Sequence, residues 1–171
     1  LLLVRTDVWD QWQATVRGDA PNRFVINVQP EQRATFDATL QRLGFSSAGL
    51  SPMIRGRYVG LTAQQRGRPQ PQGRGERVME REFNLSTADA LPEGNTLKAG
   101  TFWDARTARN QFSVESKFAE QLQWRLGDAL VFDIAGQRIE GRITSLRDVR
   151  WESFTPNFFV LVSHDLAPGL P

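Results

Sequence analysis

Trp151-Glu152-Ser153-Phe154-Thr155-Pro156-Asn157-Phe158-Phe159-Val160-Leu161-Val162 is the densest apolar and aromatic run in the chain, and it lies near the end of it. Interrupted by Pro156 and followed by the polar Ser163-His164-Asp165, the run reads as a buried strand. Just upstream, Ile139, Ile143 and Leu146 stand among Arg138, Glu140, Arg142, Thr144 and Ser145. That alternation is the pattern of a half-buried partner strand. The rest of the chain is expected to close its core on these two.

Working outward, Gly127-Asp128 turns the chain into Ala129-Leu130-Val131-Phe132-Asp133-Ile134, a strand, and Ala135-Gly136-Gln137-Arg138 reads as a hairpin turn back to Ile139. Ser113 is placed to cap a helix whose Val114, Phe118 and Leu122 share one face, with Ala119 beside them. A further strand is expected around Arg81-Glu82-Phe83-Asn84-Leu85, then a turn at Leu91-Pro92-Glu93-Gly94-Asn95, after which Phe102-Trp103 brings two aromatics to the core or to a ligand-facing lip. The simplest packing for residues 80–163 is a small twisted, barrel-like sheet with one helix plugging an end.

Nearer the start, Thr6 or Asp7 caps a helix with Val8, Trp9, Trp12 and Val16 at helical spacing, stopped by Gly18. Its tryptophans suit either a core or a membrane-interface belt. Asp19-Ala20-Pro21-Asn22 turns into a strand, Phe24-Val25-Ile26-Asn27-Val28. Pro30 suits a first helical position, Phe36, Leu40 and Leu43 recur along one face, and Gly44 ends that helix. With another strand over 53–61, this is the start of an α/β layer. The low-complexity stretch 64–77, rich in Gly, Pro, Gln and Arg, cannot bury surface and reads as a mobile loop. Arginines among glycines occur in RNA-binding tails, but this stretch is short and has no aromatic to stack on a base. A solvated loop with some pull toward anionic headgroups is the reading adopted, with no nucleic-acid role.

Composition narrows the function classes. The 171 residues are 40% hydrophobic and 23% charged, which is globular, and the net charge is only +2. Lys98 and Lys117 are the only lysines, so the cations are almost all arginine. Cysteine is absent, which excludes a disulfide framework and a thiol nucleophile. The one histidine, in Ser163-His164-Asp165, cannot form a relay with its immediate neighbours, because consecutive side chains point apart. No zinc-type cluster, H-E-x-x-H, G-x-S-x-G elbow or Walker loop is present, so no catalytic residue, metal or cofactor is expected. No run reaches the roughly 18–20 apolar residues of a membrane span. Leu1-Leu2-Leu3-Val4 is either a short buried helix start or the end of such a span.

One long motif goes further. Ser145-Leu146-Arg147-Asp148-Val149-Arg150-Trp151-Glu152-Ser153-Phe154-Thr155-Pro156-Asn157-Phe158-Phe159 closely resembles a signature of the extracytoplasmic domains of FtsX/MacB-type ABC transporter permeases, and within them the YbbP-like branch. Arg5-Thr6-Asp7 with Trp12, the run Asp19-Ala20-Pro21-Asn22-Arg23-Phe24-Val25-Ile26-Asn27, and Arg81-Glu82-Phe83-Asn84-Leu85-Ser86 match as well, so the resemblance covers about residues 3–166. It implies an α+β fold: a porter-like βαβ layer with a β-rich, barrel-like subdomain carrying one packed helix. The expected division is a membrane-proximal helix at 1–18, a porter-like α/β part at 19–63, the loop at 64–77, the β-rich subdomain at 78–165 and a linker at 166–171. A strand and helix of the porter-like half should follow residue 171.

The resemblance also implies a place and a task. The domain would sit in the periplasm, strung between helices of an inner-membrane permease, and would transmit motion driven by a separate ATPase subunit. Lipid or another hydrophobic molecule would be the cargo, and a periplasmic hydrolase of the lysophospholipase or thioesterase kind a partner. Candidate contact residues are Arg55 and Arg57, as carboxylate partners or a cationic lip, and Trp103, Trp151, Phe154, Phe158 and Phe159, as the lining of an apolar groove. Core packing is the ordinary role for such aromatics, and Trp151 and Phe154 are the ones expected to reach the surface. The competing reading is a free-standing soluble module binding anionic polymers through the arginine loop.

Overall fold

A computed structural model describes residues 25–45, 49–61, 73–151 and 156–167. Seven strands form one mixed sheet: β1 (Ile54–Leu61), β2 (Glu82–Thr87), β3 (Asn95–Gly100), β4 (Gln111–Glu115), β5 (Ala129–Ile134), β6 (Gln137–Val149) and β7 (Val160–Val162). Three short helices accompany them: α1 (Arg33–Arg42), α2 (Arg74–Met79) and α3 (Ser116–Gln121). Six strands close into a ring in the order β1-β2-β7-β4-β6-β5 and back to β1. The pairs β2–β7 and β4–β6 are parallel and the other four antiparallel. This is α+β architecture of β-rich character, with the barrel-like closure the sequence suggests.

The 13-residue β6 makes closure possible. Its first half pairs with β5, its second half with β3, and β4 runs along its other edge. Phe112 and Ser113 on β4 face Ile143 and Ser145, so Thr144 is an extra residue, a bulge. Its carbonyl turns away to accept from Thr101 N at 3.0 Å. Bulges increase twist and bend a strand, which a six-stranded ring needs. Inside lie Ile54, Leu85, Phe112, Val114, Leu130, Phe132, Ile134, Ile143, Val160 and Val162. One end is closed by rings: Trp124 meets Tyr58, Phe83, Phe118 and Phe132 at centroid distances of 5.0–6.3 Å, mostly in tilted or edge-on geometry.

Several expectations are corrected. Among the described residues of the opening run only Val160–Val162 is strand; Trp151 lies in a turn and 156–159 is irregular. Aromatic density misled here, because these rings pack in different directions. Nor are β6 and β7 neighbours, since β4 lies between them. Gln111–Glu115 is strand, so the helix begins at Ser116, capped by Glu115 and not by Ser113. Residues 25–29 form no strand, and Asn27 has φ 62. The Arg-rich loop stops short of 77, since Arg74–Met79 is helical with Val78 and Met79 against the core. Residues 54–61, expected in the α/β part, form β1 of the barrel, and Leu166, expected in the linker, is buried in its core. The expected helix at 1–18 and the loop over 64–72 lie outside the described residues. The helix after Pro30 is observed, a 3₁₀ turn at Pro30–Gln32 running into α1, and none of its residues is buried.

Candidate functional site

The barrel wall has a covered half and a bare half. On β7, Val160 and Val162 point inward, so Leu161 points outward, where it meets Trp103, Ala108, Phe102 and Phe158. Trp103 is only 8% exposed, stacks on Phe102 at 4.3 Å and donates through Nε1 to Ala88 O at 2.9 Å. It is thus core under a loop and not the lining of a groove. Several polar groups between wall and cover pair with one another: Ser145 Oγ donates to Ser113 Oγ at 2.8 Å, and Ser116 bonds Asp148. Arg147, 1% exposed, donates through Nη1 to Asn95 Oδ1 at 2.6 Å and through Nη2 to Phe158 O at 2.5 Å. Burial pulls its guanidinium down to about 10, partly offset by the charge of Glu115 across the strand ladder, so it stays protonated at neutral pH.

The bare half is charged. Arg55 and Arg57 flank the inward Gly56 and stand exposed on β1. Arg55 is opposite Asn84, and Arg57 has Glu82 on one side and Asp133 on the other. Asp133 in turn faces Arg138, so Glu82, Arg57, Asp133 and Arg138 alternate in sign across four strands. Opposite charges at facing positions support a sheet by about 0.2–1 kcal/mol a pair. The register thus favours the carboxylate-partner role of Arg57 over the cationic lip. β1 is separated from β7 by β2, and the two arginines are not brought together with the tryptophan candidates.

An aromatic edge projects between the two halves. Trp151 is 45% and Phe159 43% exposed. Phe159 stacks on Phe118 at 4.6 Å with an interplanar angle of 20°, and Trp151 leans on Phe159 at 4.8 Å. Phe154 lies outside the described residues. Phe159 was among the aromatics expected to line a groove, whereas Arg147, Glu115 and Asn95 were not singled out from sequence. The signal for Arg147 was a lone cation between the apolar Leu146 and Val149, but its partners are 52, 32 and 11 residues away. At the barrel's other features, His164 Nε2 meets Asp89 Oδ1 at 2.8 Å, while Ser163 Oγ bonds Asp165 Oδ1 at 2.5 Å. The three consecutive residues therefore form no relay. Among the described residues no group of three or more metal-binding side chains converges, and no helix is long and apolar enough to cross a membrane.

The chain is 30% identical over all 171 residues to an uncharacterized ABC transporter permease, YbbP, of Escherichia coli (strain K12). It is related to one fifth of a permease. Specifically, the match covers 100% of this chain and 20% of that protein's length. No family model matches the chain, and no solved structure matches it. What this similarity supports is kinship with a segment of an ABC transporter permease.

Proposed function

We propose that the chain is the periplasmic domain of an FtsX/MacB-type inner-membrane permease, of the MacB-like periplasmic core kind. It transmits motion powered by a separate ATPase subunit and touches lipid, other hydrophobic cargo or a periplasmic partner of the lysophospholipase or thioesterase kind. The observation that carries this reading is the whole-length similarity to YbbP. Its physical support is a closed barrel with a continuous core, a body stiff enough for a pull at one point to move a surface elsewhere. The Trp151–Phe159 edge is the proposed contact surface, since large exposed rings side by side are a common mark of interaction sites. No catalytic role is proposed.

The test uses the full-length natural polypeptide, with an epitope tag inserted within residues 67–72, ahead of α2, and expression in its native cell type. Retention in the membrane fraction, with cleavage of the tag by protease added outside intact spheroplasts, is the expected result. A soluble, protease-protected product would overturn the reading in favour of a free-standing binding module. Replacing Trp151 with a photoreactive residue then probes the contact: crosslinking to alkyne-labelled phospholipid or to a periplasmic protein is expected at 151 and not at the buried 103.

A further inference from the structure

Arg147 sits within a network of hydrogen bonds beside the aromatic edge. Its Nη1 bonds Asn95 Oδ1, and Asn95 Nδ2 donates onward to Asn157 Oδ1 at 3.0 Å. Its Nη2 bonds the carbonyl of Phe158. Across the parallel ladder stands Glu115, whose Oε2 accepts from Phe118 N at 2.6 Å and whose own N–H donates to Phe159 O at 2.8 Å. Phe118 and Phe159 are the stacked pair, and Trp151 rests on the second of them.

We propose that Arg147 is the positioning residue of this edge: it fixes the backbone on both sides of the ring stack, so that Trp151 and Phe159 are held as a preformed apolar step. A buried arginine is a costly way to stabilise a strand, and an apolar residue of similar volume commonly serves as well or better. Among the described residues the buried Arg147 Nε moreover has no hydrogen-bond partner, an added cost for a group serving stability alone. What only a planar fork provides is simultaneous, directional hold on separated segments, here the start of β3 and the lead into β7, beside the charge of Glu115 at the end of β4. Holding rings in place before contact lowers the ordering cost of binding. That consequence rests on the edge being the contact surface; the positioning itself does not.

The test is NMR on the 171-residue chain. Arg147→Lys keeps a charge opposite Glu115 but removes the fork. Contacts between the rings of Phe118, Phe159 and Trp151 are expected to vanish, and the Glu115 amide to exchange about tenfold faster or more. Contacts of Phe132 with Phe83 and Phe112, deep in the barrel, should persist. Asn95→Ala is the second variant, since it leaves the guanidinium, Glu115 and the Phe158 carbonyl in place; a weaker loss of the same ring contacts is expected. Intact ring contacts in both folded variants would overturn the proposal, and so would loss of the whole barrel in both. No partner takes part in this measurement. If the edge dissolves in Arg147→Lys while photocrosslinking at position 151 of the full-length permease is unchanged, the contact reading fails and the positioning role stands.

Discussion

The phenol of Tyr58 is the chain's only tyrosine, and burial beside the aromatic end of the barrel pushes it up to about 12 from an ordinary 10.0. A folded-state pKa above the unfolded one means that the native state holds its proton longer. The contribution of Tyr58 is therefore whole below about pH 10 and is lost as pH rises toward about 12. Arg147, depressed to about 10, acts in the opposite sense in that range, so global stability mixes the two. Tyrosinate absorbance is the clean readout: a midpoint well above 10 in the native chain, returning to about 10 in urea, is expected. A second single-residue effect lies at Gly141. A Cβ there would stand 2.7 Å from the Phe112 ring and 2.8 Å from the Asn110 carbonyl, and backbone cannot swing aside as a side-chain tip can. Gly141→Ala should cost about 1–3 kcal/mol in urea unfolding. At Gly56 the nearest atom, 2.7 Å from the same imagined Cβ, is the flexible tip of Leu85, so Gly56→Ala should cost less.

Elements form here where local chemistry and ladder agree. The β5–β6 hairpin closes with Ala135 at φ 50 and Gly136 at φ 81, a two-residue turn whose Gly136 N–H donates to Asp133 Oδ1 at 3.0 Å. Left-handed backbone is unfavourable for alanine by about 1–2 kcal/mol, whereas asparagine tolerates it. Ala135→Asn should thus raise the urea midpoint, by about 0.5–1 kcal/mol in stability, with no change in the dependence on urea. This hairpin was legible because turn and flanking alternation coincide in nine consecutive residues, 131–139. β4 was not: in Gln111-Phe112-Ser113-Val114-Glu115 the serine looks like a cap and Val114 aligns with Phe118 at helical spacing. Pairing on both edges, with β6 and β7, decides that it is a strand. Glu115 then caps α3 from the strand's last position.

At the scale of the molecule, the closed ring and the segment before it differ in what holds them. Every barrel strand is paired on both edges, whereas α1 is ten residues long and buries none of them. A helix of that length is marginal in water without tertiary packing. Hydrogen exchange of the 171-residue chain should therefore show α1 amides exchanging orders of magnitude faster than those of Val114, Leu130 and Val160. Protection of α1 equal to that of the barrel would show that it docks as firmly as the strands.

The apolar run in 129–134, the alternation in 138–146 and the turn between them were readable directly, since they depend on neighbours along the chain. So was the resemblance to a permease domain, carried by one long motif. The exposure of Trp151 was expected from sequence; ring closure, the covering of one wall and the burial of Trp103 were decided by tertiary structure. Trp151 stands between the charged Arg150 and Glu152, whereas Trp103 follows Phe102 and could face either way; the outward face of Leu161 determines that it is covered. Arg147 shows the same limit most clearly, because a cation in a strand is ordinarily solvated. It is buried here because Asn95, Glu115 and Phe158, far apart in the chain, meet around it once the barrel has closed.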